Sequence, residues 1–90
     1  MTNSLLNNIE IDDEEYFKIS NMVSDIIVKL ISKRIELKMS QRQLAEKSGI
    51  KQPMIARIEK FESIPRLDTL VRLANALSLI ITFESDNNNC

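Results

Sequence analysis

Two side chains five positions apart, Gln52 and Arg57, carry the most pointed chemistry in this chain of 90 residues. A primary amide presents a donor and an acceptor side by side, and a guanidinium presents a planar fork of donors. Either group can bond the polar edge of a base, and the guanidinium can also grip a phosphate. Lys51 and Lys60 bracket the pair with two point charges, and Pro53 and Ala56 add small apolar surface beside it. These residues can act on one target only if a short helix turns them outward together. Ile55 and Ile58, spaced i, i+3 on the same stretch, are the residues that would hold such a helix from behind.

Other chemistries are poorly served. The chain has no histidine, and its single cysteine, Cys90, is the last residue. A Cys/His metal site is excluded, as are histidine acid–base catalysis and Cys–His or Ser–His nucleophiles. The carboxylates that remain cluster in one N-terminal stretch that reads as flexible, a poor foundation for an active site. The chain is therefore expected not to be an enzyme and to need no metal and no cofactor, and no small-molecule site is evident. No run of about 18 uncharged apolar residues could span a membrane. No basic segment followed by an apolar one marks a secretory signal. A cytoplasmic protein is expected.

The elements that must position the outward residues can be read from local signals. One glycine and two prolines among 90 residues favour helices over turn-rich β structure. A first strong helix is predicted over residues 21–37, capped by Ser20 or Asn21, with Val23, Ile26, Ile27, Leu30, Ile31 and Ile35 as its buried stripe. Ahead of it, Asp12 and Glu15 could cap a short turn through Phe17. Ser40-Gln41-Arg42-Gln43 is a capping box that opens a second helix. That helix ends at Gly49, the residue best able to take the left-handed conformation of a sharp stop. Leu44 and Ala45 face inward on it, the alanine being small enough for a close crossing, and Ile50 plugs the corner. The third helix follows Lys51, has Pro53 in its first turn, and runs to about residue 60. A connector over residues 61–66 leads to a fourth helix over residues 67–77. Asp68 suits its N-terminal dipole, and Leu67, Leu70, Val71, Ala74 and Leu77 form its apolar stripe.

The period then changes. Leu79, Ile81 and Phe83 alternate with Ile80, Thr82 and Glu84, the pattern of a strand. A lone strand leaves its backbone groups unpaired, and the economical partner is the same strand of a second copy across a two-fold axis. A tail packed on its own helices is the alternative. The organisation is then a flexible acidic arm over residues 1–20, a helical domain over 21–78, a dimerisation strand over 79–85 that includes Leu79, Ile80, Ile81, Thr82 and Phe83, and a polar tail over 86–90.

A net charge of −1 conceals a division along the chain. Residues 1–28 hold six acids against Lys18, a net −5, whereas residues 29–66 hold ten bases against four acids, a net +6. The central segment is suited to an anionic partner and the acidic arm to a basic one.

Residues 41–60 resemble the helix-turn-helix of the lambda-repressor-like, or Xre/Cro-type, family, and the resemblance extends over residues 22–77. Ser32-Lys33-Arg34-Ile35-Glu36-Leu37 is similar to the end of that family's first helix. Gln43-Leu44-Ala45-Glu46-Lys47-Ser48-Gly49-Ile50 is similar to its second, and Ile55-Ala56-Arg57-Ile58-Glu59 to its recognition helix. Pro65 with Leu67-Asp68-Thr69-Leu70, and Leu73-Ala74-Asn75-Ala76-Leu77, match the start and end of the next helix. The resemblance implies an all-α, compact domain of four to five helices that binds double-stranded DNA. It implies that Arg34 pairs with Glu59. It implies that Gln41 meets a phosphate, Gln52 reads a base, and Arg57 reads guanine or holds a phosphate. Lys51 and Lys60 would meet phosphates and Arg66 the minor groove, with Arg42, Pro53 and Ala56 completing the DNA-facing set. Two departures stand out. Phe61 occupies a position where the family commonly has glycine, and a phenylalanine takes positive φ only at a cost, so the third helix is expected to end differently or to continue. Pro53, beside Gln52, has no hydrogen-bonding side chain and can offer a base only apolar contact.

The strand after the fourth helix and the acidic N-terminal extension look like the HigA- or HipB-type antitoxin branch of the family. That branch implies a homodimer that represses its own operator and also neutralises a toxin, of which the HigB type is a basic ribonuclease. Two other readings fit the residues: a phage or mobile-element repressor without a toxin partner, and a protein-interaction module that has lost DNA binding.

Overall fold

A computed structural model describes residues 12–86, and within them the chain forms four helices and no strand. They are α1 (Asp13–Glu36), α2 (Gln41–Ser48), α3 (Gln52–Glu59) and α4 (Leu67–Ala76). The all-α, lambda-repressor-like architecture is thus the one the sequence implies.

α1 begins earlier than the pattern suggests. Asp12 is its N-cap and accepts a hydrogen bond from the Glu15 N–H at 2.7 Å, with Asp13, Glu14 and Glu15 in the first turn where the helix dipole favours them. From there the helix runs unbroken to Glu36, so residues 13–20, assigned to a flexible arm, are its opening turns. Ser20 and Asn21 are good caps but also tolerable helix interior. Tyr16, Ile19 and Val23 continue the i, i+3, i+7 register into Ile27 and Leu30, and nothing interrupts the ladder. Residues 1–11, the rest of that arm, and residues 87–90 of the tail lie outside the described residues.

The core is built from Ile27 and Leu30 of α1, Leu44 of α2, Ile55 and Ile58 of α3, and Leu73, Ala76 and Leu77 at the end of α4. Val23, Ile31, Met39, Ala45, Ile50, Leu70 and Leu79 pack around it. α2 is the hub, lying against both α3 and α4, while α1 packs on α3. Two of the expected stripes are narrower than the sequence pattern. Ile26 and Ile35 of α1 are 43% and 60% exposed, and Leu67 and Val71 of α4 are 74% and 41% exposed. With so few neighbouring elements, each helix is covered over a narrow arc, and apolar residues at the margins of a stripe face solvent.

Each described helix hands the chain on through a left-handed residue, only one of which is glycine. Gly49 (φ 78°) ends α2, its N–H donating to Ala45 O. A Cβ at Gly49 would meet only Arg72 Nη1, at 3.9 Å, so the backbone conformation and not crowding calls for glycine. Lys38 (φ 56°), Phe61 (φ 62°) and Ser78 (φ 59°) follow the other three helices. The Phe61 N–H donates to Ile58 O and the Glu62 N–H to Arg57 O, both at 2.9 Å, the paired bonds of a Schellman stop. The same pair recurs at Lys38–Met39 and Ser78–Leu79. Phenylalanine therefore does adopt positive φ here. The two hydrogen bonds satisfy end carbonyls that would otherwise be orphaned, and they offset a strain of roughly 1–2 kcal/mol.

Beyond Ser78 the described chain to residue 86 is neither helix nor strand, and Ile80 and Phe83 are 89% and 96% exposed. A strand needs a ladder, and one chain by itself supplies none.

Candidate nucleic-acid interface

Locally encoded stops and starts set the α2–α3 unit. Ser40 Oγ accepts from the Gln43 N–H at 3.0 Å and Gln43 Oε1 accepts from the Ser40 N–H at 2.8 Å, a reciprocal capping box. The Ile50 N–H donates to Ser48 Oγ at 3.1 Å across the turn. α3 starts with Gln52 and Pro53, where a missing N–H costs nothing. Ile55 and Ile58 are 1% and 2% exposed, so the axial rotation of α3 is fixed by two isoleucines in the core. That rotation brings Gln52, Pro53 and Arg57 to the exposed side, with Ala56 half-buried beside them and Lys51 and Lys60 exposed at the two ends.

A bidentate ion pair holds the end of α3 to α1. Arg34 Nε donates to Glu59 Oε2 at 2.7 Å and Nη2 to Glu59 Oε1 at 2.9 Å. Arg34 Nη1 also donates to the carbonyl of Met39 at 2.8 Å, tying in the link between α1 and α2. The two side chains are only 15% and 14% exposed. At that depth a planar fork fixes geometry more surely than it adds net stability.

Gln41 departs from the simple phosphate role. Its Nε2 donates to Glu59 Oε1 at 3.0 Å, so this amide spans from the first residue of α2 to the last of α3. One amide hydrogen remains for a phosphate. Arg42 is exposed and loosely paired with Glu46 at 3.9 Å, and Arg66 is exposed and paired with Asp68 at 3.3 Å. Both pairs lie in solvent and would exchange readily for a phosphate. Gln52, Arg57, Lys51 and Lys60 form no side-chain hydrogen bond or ion pair among the described residues.

Two residues of this surface escaped the sequence pattern. Met54, 36% exposed, flanks Pro53, with its Sδ 3.8 Å from the Ser63 hydroxyl, which donates to it. Arg72 of α4 reaches toward the turn at Gly49. A helical projection of α3 could have found Met54. Nothing local relates Arg72 to a turn so far away in sequence.

The described residues hold no cluster of three or more His, Cys, Asp or Glu that could take a metal ion, and no helix among them is long and apolar enough to cross a membrane. A compact helical domain with a braced, outward-facing second helix of a helix-turn-helix defines a class of DNA-binding regulators rather than an enzyme. Residues 30–79 match the family model described as helix-turn-helix, and the chain belongs to that family, of the Xre type.

Its relatives carry regulator and antitoxin names. The chain is 48% identical over 64 residues to an uncharacterized HTH-type transcriptional regulator of Haemophilus influenzae, covering 71% of this chain and 65% of that protein. It is 38% identical over 52 residues to the antitoxin HigA1 of Mycobacterium tuberculosis, covering 58% of this chain but 35% of that one. The match thus spans just under two thirds of the first relative and about a third of the second. Among solved structures, a chain of a toxin-antitoxin module from Streptococcus pneumoniae superposes with a TM-score of 0.66 at 32% identity, over 94% of this chain and 93% of that one.

Proposed function

We propose that this chain is a sequence-specific repressor that binds duplex DNA as a cytoplasmic homodimer, and that it is the antitoxin of a toxin-antitoxin pair. One observation carries the DNA reading. On α3 the apolar face is sealed into the core, while the exposed Gln52 and Arg57, with Lys51 and Lys60 at its ends, have no side-chain partner among the described residues. Polar groups left unengaged on a rigid helix are suited to an external target. A helix of this width fits the major groove, where base edges differ in their donors and acceptors.

In this reading Gln52 bonds a base edge, most readily adenine, and Arg57 bonds guanine or a neighbouring phosphate. Pro53, Ala56 and the margin of Met54 offer apolar contact to a thymine methyl. Lys51 and Lys60 hold phosphates at the two ends of the helix. Gln41 and Arg42 meet the backbone from the start of α2, and Arg66 approaches the adjacent minor groove. Pairing of residues 79–83 between two copies would place two α3 helices about one DNA turn, ~34 Å, apart on a two-fold operator. The similarity to HigA1 and to a chain of a toxin-antitoxin module supports the antitoxin role. The net −5 of residues 1–28 suits a basic toxin, such as a ribonuclease that must itself bind RNA.

The test is operator binding by Gln52→Ala and Arg57→Ala. Each is expected to weaken specific affinity by about ten- to a hundredfold, with circular dichroism and melting temperature unchanged. Affinity like that of the parent chain in both variants refutes the assignment of α3. Dimerisation is tested separately by deleting residues 79–90, which is expected to give monomers in sedimentation.

A further inference from the structure

Glu59 is the last residue of α3, and its side chain lies only 14% exposed against α1 and the first residue of α2. Its two oxygens carry three hydrogen bonds. Oε2 accepts from Arg34 Nε at 2.7 Å, and Oε1 accepts from Arg34 Nη2 at 2.9 Å and from Gln41 Nε2 at 3.0 Å. The Arg34 fork by itself fixes the end of α3 to α1, so that joint does not require the bond to Gln41. Gln41, half-buried, makes no other side-chain hydrogen bond among the described residues. Glu59 is its anchor.

The chemistry of that anchor sets which way the amide faces. A glutamine amide can turn over, exchanging its oxygen for its NH2. A partner that both donates and accepts would tolerate either orientation. A carboxylate paired with a guanidinium only accepts, so it holds the NH2 toward itself. The second hydrogen then stays on the same nitrogen as a donor at the start of α2. A phosphate oxygen bonds a donor there, whereas the amide oxygen in its place would be repelled. The charge of Glu59 does not spoil this contact, because Arg34 meets both carboxylate oxygens and offsets it.

We infer that Glu59 is a positioning residue for DNA: it turns the Gln41 amide so that a donor faces a backbone phosphate, and itself touches no part of the duplex. The inference rests on the DNA-binding reading and deepens it, since one determinant of phosphate contact then lies behind the surface that carries Gln52 and Arg57. It also ties that contact to the docking of α3 on α1. The Gln41 donor is set only while Arg34, Glu59 and Gln41 stand together.

The experiment uses a duplex selected by the full chain from a random pool, and copies of it in which each phosphate in turn is replaced by an uncharged methylphosphonate. One replacement is expected to weaken binding of the parent chain about tenfold, the worth of a charge-assisted hydrogen bond, and to have no effect on Gln41→Ala. Glu59→Gln is expected to lose the sensitivity at that same phosphate. The sensitivities at the other phosphates, and the base preference set by Gln52 and Arg57, should stay as in the parent chain. A purely structural Glu59 would lower all of these together or none of them, and either result overturns the inference. If Glu59→Gln does not fold, the side-chain amide signals of Gln41 in the parent chain decide. One hydrogen should exchange slowly in the free protein and keep its shift when duplex is added. The other should shift with the unmodified duplex and not with the methylphosphonate copy. Two hydrogens that exchange equally fast, or that respond alike to the duplex, overturn the inference. A parent chain that selects no duplex overturns the DNA reading and this inference with it. A selected duplex that depends on Gln52 and Arg57, but on no phosphate through Gln41, overturns the inference alone.

Discussion

Residues 41–60 and the two ends of the described chain treat their apolar and polar groups in opposite ways. In the first region Leu44, Ile55 and Ile58 are buried, the start of α2 is closed by a capping box and the turn by Gly49, α3 opens on Pro53, and Glu59 is met by Arg34 and Gln41. What this region leaves unengaged is mainly polar, with Pro53 and Met54 as its apolar margin. At the ends the reverse holds. Phe17, Met22, Ile80 and Phe83 stand largely in solvent, at exposures of 57% to 96%. The contrast separates two kinds of incompleteness. Unengaged amides and cations on a rigid helix suit a hydrated, charged target, whereas exposed large apolar side chains suit a protein surface that removes them from water.

Stability measurements can break that contrast. Ile58→Ala should destabilise the domain by about 2–5 kcal/mol, the range for truncating a fully buried isoleucine. In a domain this small such a loss approaches the whole folding free energy. Met22→Ala and Phe83→Ala should stay within about 0.5 kcal/mol in the monomer, as for surface substitutions. Equal losses at core and ends, in urea titrations of dilute protein, would erase the distinction. Next in size is Glu59→Ala. It removes the acceptor of three hydrogen bonds and leaves the Arg34 guanidinium half-buried without its counter-charge. A cost of about 1–3 kcal/mol is expected, recovered in part when Arg34→Ala is added. A smaller pair of effects sharpens the account of the helix ends. Gly49→Ala should cost about 1–2 kcal/mol through φ alone. Phe61→Gly should gain up to about 1 kcal/mol, since relief of left-handed strain exceeds the added chain entropy of glycine. Opposite signs at these two positions in thermal melts are the expected result.

The α2–α3 unit was legible because its signals are short-range. A capping box, a glycine, a proline in a first turn and two isoleucines three residues apart each act within one or two turns of helix. Features set by distant neighbours were not legible. The start of α1 was missed because Ser20 and Asn21 are acceptable both as caps and as helix interior, and only the continued register of Tyr16, Ile19 and Val23 decides between them. The periodicity of Ile26, Ile35, Leu67 and Val71 gave a helix face but not the arc that neighbouring helices would cover. Phe61 was expected to make the helix end differently or continue, because positive φ is costly for phenylalanine; the paired bonds to Ile58 and Arg57 offset that cost. The tie from Gln41 to Glu59 depends on two helix ends meeting in space, and a family pattern of phosphate contact does not reveal it. The segment after Ser78 has a strand-like alternation whose ladder requires a second chain.

The most direct test of the DNA-facing surface is an amide chemical-shift titration of the labelled chain with an operator duplex, repeated at two salt concentrations. The predicted perturbations fall on Gln41, Arg42, residues 51–57, Lys60 and Arg66, weaken steeply with salt, and leave residues 13–26 unmoved. Perturbations centred on α1, or none at any salt concentration, would contradict the account.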